Sequence, residues 1–146
     1  MMEKDRFERY LEKIKKIKFN LEKLKNWFVL EKLKQEQEQG KYQKIYAVYY
    51  AMQTLIEGIT DISAMIVEDL VKVVEDDYNN FEILRNQNII NYKEYNKLKK
   101  MNGLRNRLVH DYNGIIDHIA WDAIHELIPF TETIVKKVEK WVLKMN

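Results

Sequence analysis

Phe7, Ile14, Leu21 and Phe28 recur every seven residues near the start of the chain, with Tyr10, Ile17 and Leu24 between them and lysines and glutamates at most other positions. Spacings of three and four return to one face of an α-helix, so this pattern predicts a long helix over about residues 4–36 whose apolar stripe must be covered. A free-standing coiled coil would cover it, and so would a helical bundle. The apolar remainder of the chain can receive the stripe, which favours the bundle. Gln35 to Gly40 is polar and ends in glycine, marking a turn.

From Lys41 to about Val74 apolar residues fall on more than one side of a helix, as expected for a central one. Gly58 inside it predicts a close helix contact or a local bend. Tyr42, Tyr46, Tyr49 and Tyr50 invite a reading as an RNA-stacking surface, but no single-strand-binding module surrounds them, and they are assigned to the core or a subunit interface. Glu75-Asp76-Asp77 suits a helix N-terminus, with a short helix from Tyr78 to about Asn88. Another helix is predicted from about Tyr92 to Tyr112, with Gly103 permitting close approach, before Asn113-Gly114 supplies residues tolerant of left-handed backbone. A last helix spans roughly Asp117 to Leu143, with Pro129 able to kink or split it. The expectation is one all-α domain over residues 1–146, built from four to five helices.

The totals agree with that class. A chain of 146 residues with one proline and four glycines suits a single helical domain, and a domain of this length buries roughly 68–70% of the surface its unfolded chain exposes. No cysteine is present, so disulfides and thiolate metal sites are excluded and the composition is compatible with a reducing compartment. The opening Met-Met-Glu-Lys-Asp-Arg has no apolar signal-peptide core. The longest apolar run, Ile45 to Met52, is less than half a bilayer-spanning helix. A cytoplasmic protein with no membrane contact is expected. Net charge is only +2, yet basic residues outnumber acidic ones 11 to 6 in residues 1–34 and 9 to 6 in residues 96–146, against 5 to 11 between them.

Within the basic last third, Gly103 to Tyr112 gathers Arg105, Asn106, Arg107, His110 and Tyr112. Arginine offers a planar, permanently charged fork suited to phosphate, and histidine exchanges protons near neutrality, so the stretch points to phosphoryl chemistry. Arg105 and Tyr112, seven apart, share a helix face; His110, five from Arg105, lies well around the cylinder. The three converge only where the helix loosens or where a second copy of the chain contributes. The bland reading is a solvated basic face in which Arg105 pairs with a bundle carboxylate, His110 meets the helix dipole and Tyr112 packs.

Two other groupings carry weaker signals. Glu57 and Asp61, four apart, are candidate supporting carboxylates, although like charges so placed also face solvent or hold an arginine. His118, Asp122, His125 and Glu126 permit a divalent site geometrically, but no further strong ligand is indicated and no metal is expected there.

The string Arg105-Asn106-x-x-x-His110-x-Tyr112 resembles the Arg-x4-His-x-Tyr signature of the HepT-like toxins in the HEPN superfamily. Tyr46-Ala47-Val48-Tyr49-Tyr50-Ala51, Ile62-Ser63-Ala64-Met65-Ile66-Val67, Asp76-Asp77-Tyr78 and Met101-x-Gly103-Leu104 are similar to the same family, over roughly residues 40–140. The resemblance implies an antiparallel HEPN-like bundle forming a homodimer with both motifs at a shared cleft. It also implies a ribonuclease that needs neither metal nor cofactor, the toxin partner of a small nucleotidyltransferase antitoxin that uses ATP to place AMP on the motif tyrosine, here Tyr112. Arg105 and His110 would then be catalytic on RNA, with Asn106, Arg107 and Tyr112 binding or orienting substrate; Arg107 adds a charge that the family pattern does not require. A catalytically silent HEPN module that binds nucleotide or a nucleotidyltransferase, and a structural helical adaptor, are the rival readings.

Overall fold

The computed structural model describes residues 2–110 and 118–146, with His110 described by its backbone alone. Among the described residues there are six α-helices and no strand: α1 (Lys4–Trp27), α2 (Leu30–Glu38), α3 (Gln43–Val71), α4 (Asp77–Asn86), α5 (Tyr92–His110) and α6 (His118–Met145). None is long and apolar enough to cross a membrane.

The heptad stripe of α1 is buried as its spacing requires, through Tyr10, Ile14, Ile17, Leu21 and Leu24. The single helix expected over residues 4–36 is, however, two helices. Phe28 leaves helical geometry while its N–H still bonds the Leu24 carbonyl, and Val29 is extended. A straight continuation would carry the stripe onto Glu31 and Gln35, which gain nothing from burial. The break instead turns Leu33 fully into the core. This division is why six helices stand where four to five were expected.

The pairings are antiparallel. Arg6 reaches Asp69, Lys13 reaches Asp61, and Ile17 lies against Gly58, so α1 and α3 run in opposite senses. A methyl group on Gly58 would sit 2.8 Å from Ile17 Cγ1, so the glycine permits the close helix contact its sequence position suggested. Lys18 pairs with Glu139 and Lys25 with Glu132, setting α6 antiparallel to α1. α3 is the central element, packed against α1, α2, α4 and α5, and its buried residues surround most of its circumference. It ends at Lys72, whose φ of +64° is left-handed, and α4 starts with the Asp76 carboxylate accepting from the Asn79 N–H at 2.8 Å.

Pro129 neither splits nor ends α6, which runs unbroken from His118 to Met145. Proline costs a helix one hydrogen bond, here to the His125 carbonyl, and burial of Leu127, Phe130, Thr131 and Ile134 around it holds the helix together.

Candidate functional site

The helix that carries the motif is fixed first at its far end. Asn91 and Glu94 form a reciprocal capping box: the Asn91 N–H donates to Glu94 Oε1 and the Glu94 N–H donates to Asn91 Oδ1, each at 2.8 Å. Glu94 is buried, and Lys137 of α6 donates to the same carboxylate at 2.6 Å. Further along, Leu98, Met101 and Leu104 turn the apolar side of α5 into the core. Lys100 binds Glu126 of α6 at 2.5 Å, a hydrogen bond that holds the Glu126 carboxyl below its ordinary pKa against the opposing effect of burial.

With the apolar side so placed, Arg105 projects toward α3. Its Nε and Nη2 both donate to Glu57 Oε1 at 3.4 Å, and Gln53 Nε2 donates to that same oxygen from one turn earlier on α3. The pair is half open, with the arginine side chain 34% and the glutamate 41% exposed, so its value lies in aiming the guanidinium more than in stability. Asn106 and Arg107 are exposed. Asn102, one turn back, is buried with its Oδ1 lacking a hydrogen-bond partner among the described residues. The backbone of His110 stands at the end of α5. Tyr112 and the turn at Asn113-Gly114 lie outside the described residues.

Glu57 and Asp61 turn to different partners. Glu57 faces Arg105, whereas Asp61 is exposed and binds Lys13 of α1 at 3.4 Å. Gly103 makes no close helix contact: a Cβ there would meet nothing within 4 Å among the described residues, because the glycine lies on the outer side of α5. The tyrosine cluster divides. Tyr49 accepts a 2.7 Å hydrogen bond from the buried Trp121 indole and Tyr42 packs on the core, while Tyr46 and Tyr50 are 52% and 72% exposed.

The α6 grouping is likewise dispersed. His118 sits edge-on to Trp121, His125 lies beside Phe28, and Glu126 is taken by Lys100. Among the described residues no three His, Asp or Glu side chains form a group that could hold a metal ion.

A family model described as Ribonuclease HepT-like matches residues 7–138. The chain belongs to the HepT-like family. A protein of Archaeoglobus fulgidus named "Putative RNase" is 38% identical over 142 residues, 97% of this chain and 98% of the relative. The fold is that of HEPN toxins. A tri-AMPylated HEPN toxin of Shewanella oneidensis in complex with its MNT antitoxin superposes with a TM-score of 0.77 at 22% identity, over 90% of this chain and 96% of that one. A toxin–antitoxin structure with AMP-PNP gives 0.74 at 21% identity, over 88% and 96%.

For this HepT-like chain, sequence reasoning missed the residues that fix the start of the motif helix. The capping box was readable as Asn91-x-x-Glu94 at the head of an amphipathic helix. Lys137 as third member was not, since 43 residues separate it from Glu94.

Proposed function

We propose that this HepT-like protein is the toxin of a toxin–antitoxin pair: a homodimeric, metal-independent endoribonuclease of the cytoplasm, neutralised when a nucleotidyltransferase antitoxin transfers AMP from ATP to Tyr112. The observation that carries the reading is the Glu57–Arg105 pair, which aims a part-exposed guanidinium beside Asn106, within two turns of the end of α5 and its His110.

Cleaving RNA this way requires three things: removal of the 2′-hydroxyl proton, attack of that oxygen on the adjacent phosphorus, and a proton for the departing 5′-oxygen. The P–O5′ bond breaks as the P–O2′ bond forms, leaving a 2′,3′-cyclic phosphate. His110 transfers protons, and Arg105 balances the charge gathering on the phosphoryl oxygens. Asn106 and Arg107 bind or orient the strand. A second copy brings a second His110 and Arg105 to the cleft, which answers the angular separation of these residues on one helix. The exposed Tyr46 and Tyr50, on the α3 stripe that leads to Gln53 and Glu57, are the surface we assign to that subunit contact. The AMPylated state named for the Shewanella oneidensis toxin supports AMP transfer here. An adenylyl group on Tyr112 would fill the groove and set negative charge where phosphate must bind.

Purified protein should cleave single-stranded RNA in excess EDTA, and His110→Ala should lose at least about a hundredfold in rate. Undiminished cleavage by that variant removes His110 from the mechanism. Incubation with the antitoxin and ATP should add about 329 Da per AMP, lost in Tyr112→Phe. An adduct on another residue removes Tyr112 from the regulation.

A further inference from the structure

The α4–α5 turn and the outer face of α5 carry aromatic and cationic side chains that the catalytic motif does not use. α4 ends at Asn86, Asn88 takes a left-handed φ of +59°, and the Asn88 and Ile89 N–H groups bond back to the Arg85 and Leu84 carbonyls. This tight reversal brings Arg85, at the end of α4, over the first turn of α5. Its guanidinium carbon lies 5.5 Å from the Tyr92 ring centre and 5.0 Å from that of Tyr95. The two rings are 6.2 Å apart, and Lys99 Nζ stands 4.5 Å from the Tyr95 ring centre. Glu82 reaches Arg85 only at 4.0 Å. Tyr92 is 62% exposed.

At 3.6 residues per turn, Tyr92, Tyr95, Lys99 and Asn106 fall within about 60° of arc on α5, along roughly 21 Å of its length. Gly103 lies on the same side, where an added Cβ would meet nothing within 4 Å among the described residues, so the surface is open at that step toward the motif. Alternating rings and cations beside a backbone-binding groove are what single-stranded nucleic acid requires. Bases stack on the rings, and the cations meet the phosphates and stack in turn on the bases. A purely structural brace between α4 and α5 would have no need to leave Tyr92 uncovered.

We propose that Arg85, Tyr92, Tyr95 and Lys99 form a binding track that holds the single-stranded RNA flanking the scissile linkage and leads it along α5 to Asn106 and Arg105. The proposal rests on the ribonuclease reading for the direction of the strand but makes its own prediction about length. Substrates of several nucleotides depend on the track, and a dinucleotide does not.

The test uses the full-length protein with a fluorescent 2′-O-methyl RNA of about twelve nucleotides, which cannot be cleaved because the attacking oxygen is blocked. Tyr92→Ala should weaken its binding about tenfold and Tyr92→Phe, which keeps the ring, should not. Lys99→Ala should reduce the slope of log affinity against log salt by about 0.7. Cleavage of a dinucleotide should match wild type in all three variants. Unchanged affinity in Tyr92→Ala, with wild-type protein still cleaving RNA, overturns the track and leaves the ribonuclease reading intact. Tyr92-dependent binding in a protein that cleaves nothing upholds the track and sinks the ribonuclease reading. A change of oligomeric state in Tyr92→Ala, seen by sedimentation without loss of affinity per dimer, overturns the proposal and assigns this face to protein. Should Tyr92→Ala misfold by circular dichroism, an unchanged salt slope in Lys99→Ala overturns it instead.

Discussion

Substituting alanine for Gly58 sets two known effects against each other at the closest approach of α1 and α3. Alanine favours a helix interior over glycine by about 1 kcal/mol. Its methyl group, however, would lie 2.8 Å from Cγ1 of Ile17 and 3.5 Å from Cδ1. The nearer atom is attached directly to the Ile17 Cβ, and Ile17 is 2% exposed, so the side chain cannot swing clear. Overpacking costs about 1–3 kcal/mol, and contact with an atom fixed to a buried Cβ sets this site in the upper part of that range, about 2–3 kcal/mol before the helix gain is subtracted. The clash should win, leaving a net loss of about 1–2 kcal/mol, or roughly 2–8 °C in Tm for a chain of this size. Shortening Ile17 isolates the contact. Ile17→Ala alone should cost about 2–5 kcal/mol. In its background the Gly58→Ala methyl occupies vacated space and should now stabilise by about 1 kcal/mol, giving a coupling of about 2–3 kcal/mol. Urea unfolding of the four proteins measures it, provided the m-values agree. Additive single effects, or a stabilising Gly58→Ala in the wild-type background, would refute the argument that helix spacing is set at this glycine.

Three further outcomes are expected. Glu57→Ala should leave the urea midpoint nearly unchanged, because a half-exposed pair is worth about 0–1 kcal/mol, yet lower the RNA cleavage rate about tenfold or more as Arg105 loses its aim; parallel losses in stability and rate would make the pair merely structural. The Tyr10 phenol, buried and donating to Asp69 at 2.5 Å, has its pKa raised, chiefly by burial and then by that hydrogen bond. Its folded pKa exceeds its unfolded value, so its contribution is complete below about pH 10 and is lost as pH rises beyond that; Tyr10→Phe should flatten the alkaline limb of stability against pH, read by urea unfolding. Lys72→Gly should raise stability by about 1 kcal/mol in thermal unfolding, since the left-handed C-cap of α3 strains any side chain; no gain would mean that Lys72 makes compensating contacts.

What could be read in advance follows the range of the interactions involved. The α1 stripe, the central α3 and the motif helix were legible because periodicity within a dozen residues reports burial directly, and Tyr10 through Leu24 behave as that periodicity requires. The break at Phe28 was not, since lysine- and glutamate-rich turns on either side both satisfy a helix. Only the position of Leu33 relative to the core distinguishes one helix from two. Arg105 and His110 were nameable from side-chain chemistry, and Asn106 from the family resemblance. The support Arg105 draws from Glu57 was one of the meanings open to that carboxylate, whereas Asp61 is exposed and binds Lys13. Arg85 gave no local sign of any role. Its meeting with Tyr92 and Tyr95 depends on a turn made at Asn88 and on two helices crossing there.

The capping box of α5 has a consequence for how the chain can vary. Each residue turns a helix by about 100° and advances it about 1.5 Å, and Asn91, Glu94 and Lys137 fix the azimuth at which α5 begins. The number of residues between Glu94 and Arg105 then decides which way the arginine points. Losing or gaining a single residue there would swing it off Glu57 while every member of the motif survived. In this interval, count is constrained more tightly than identity.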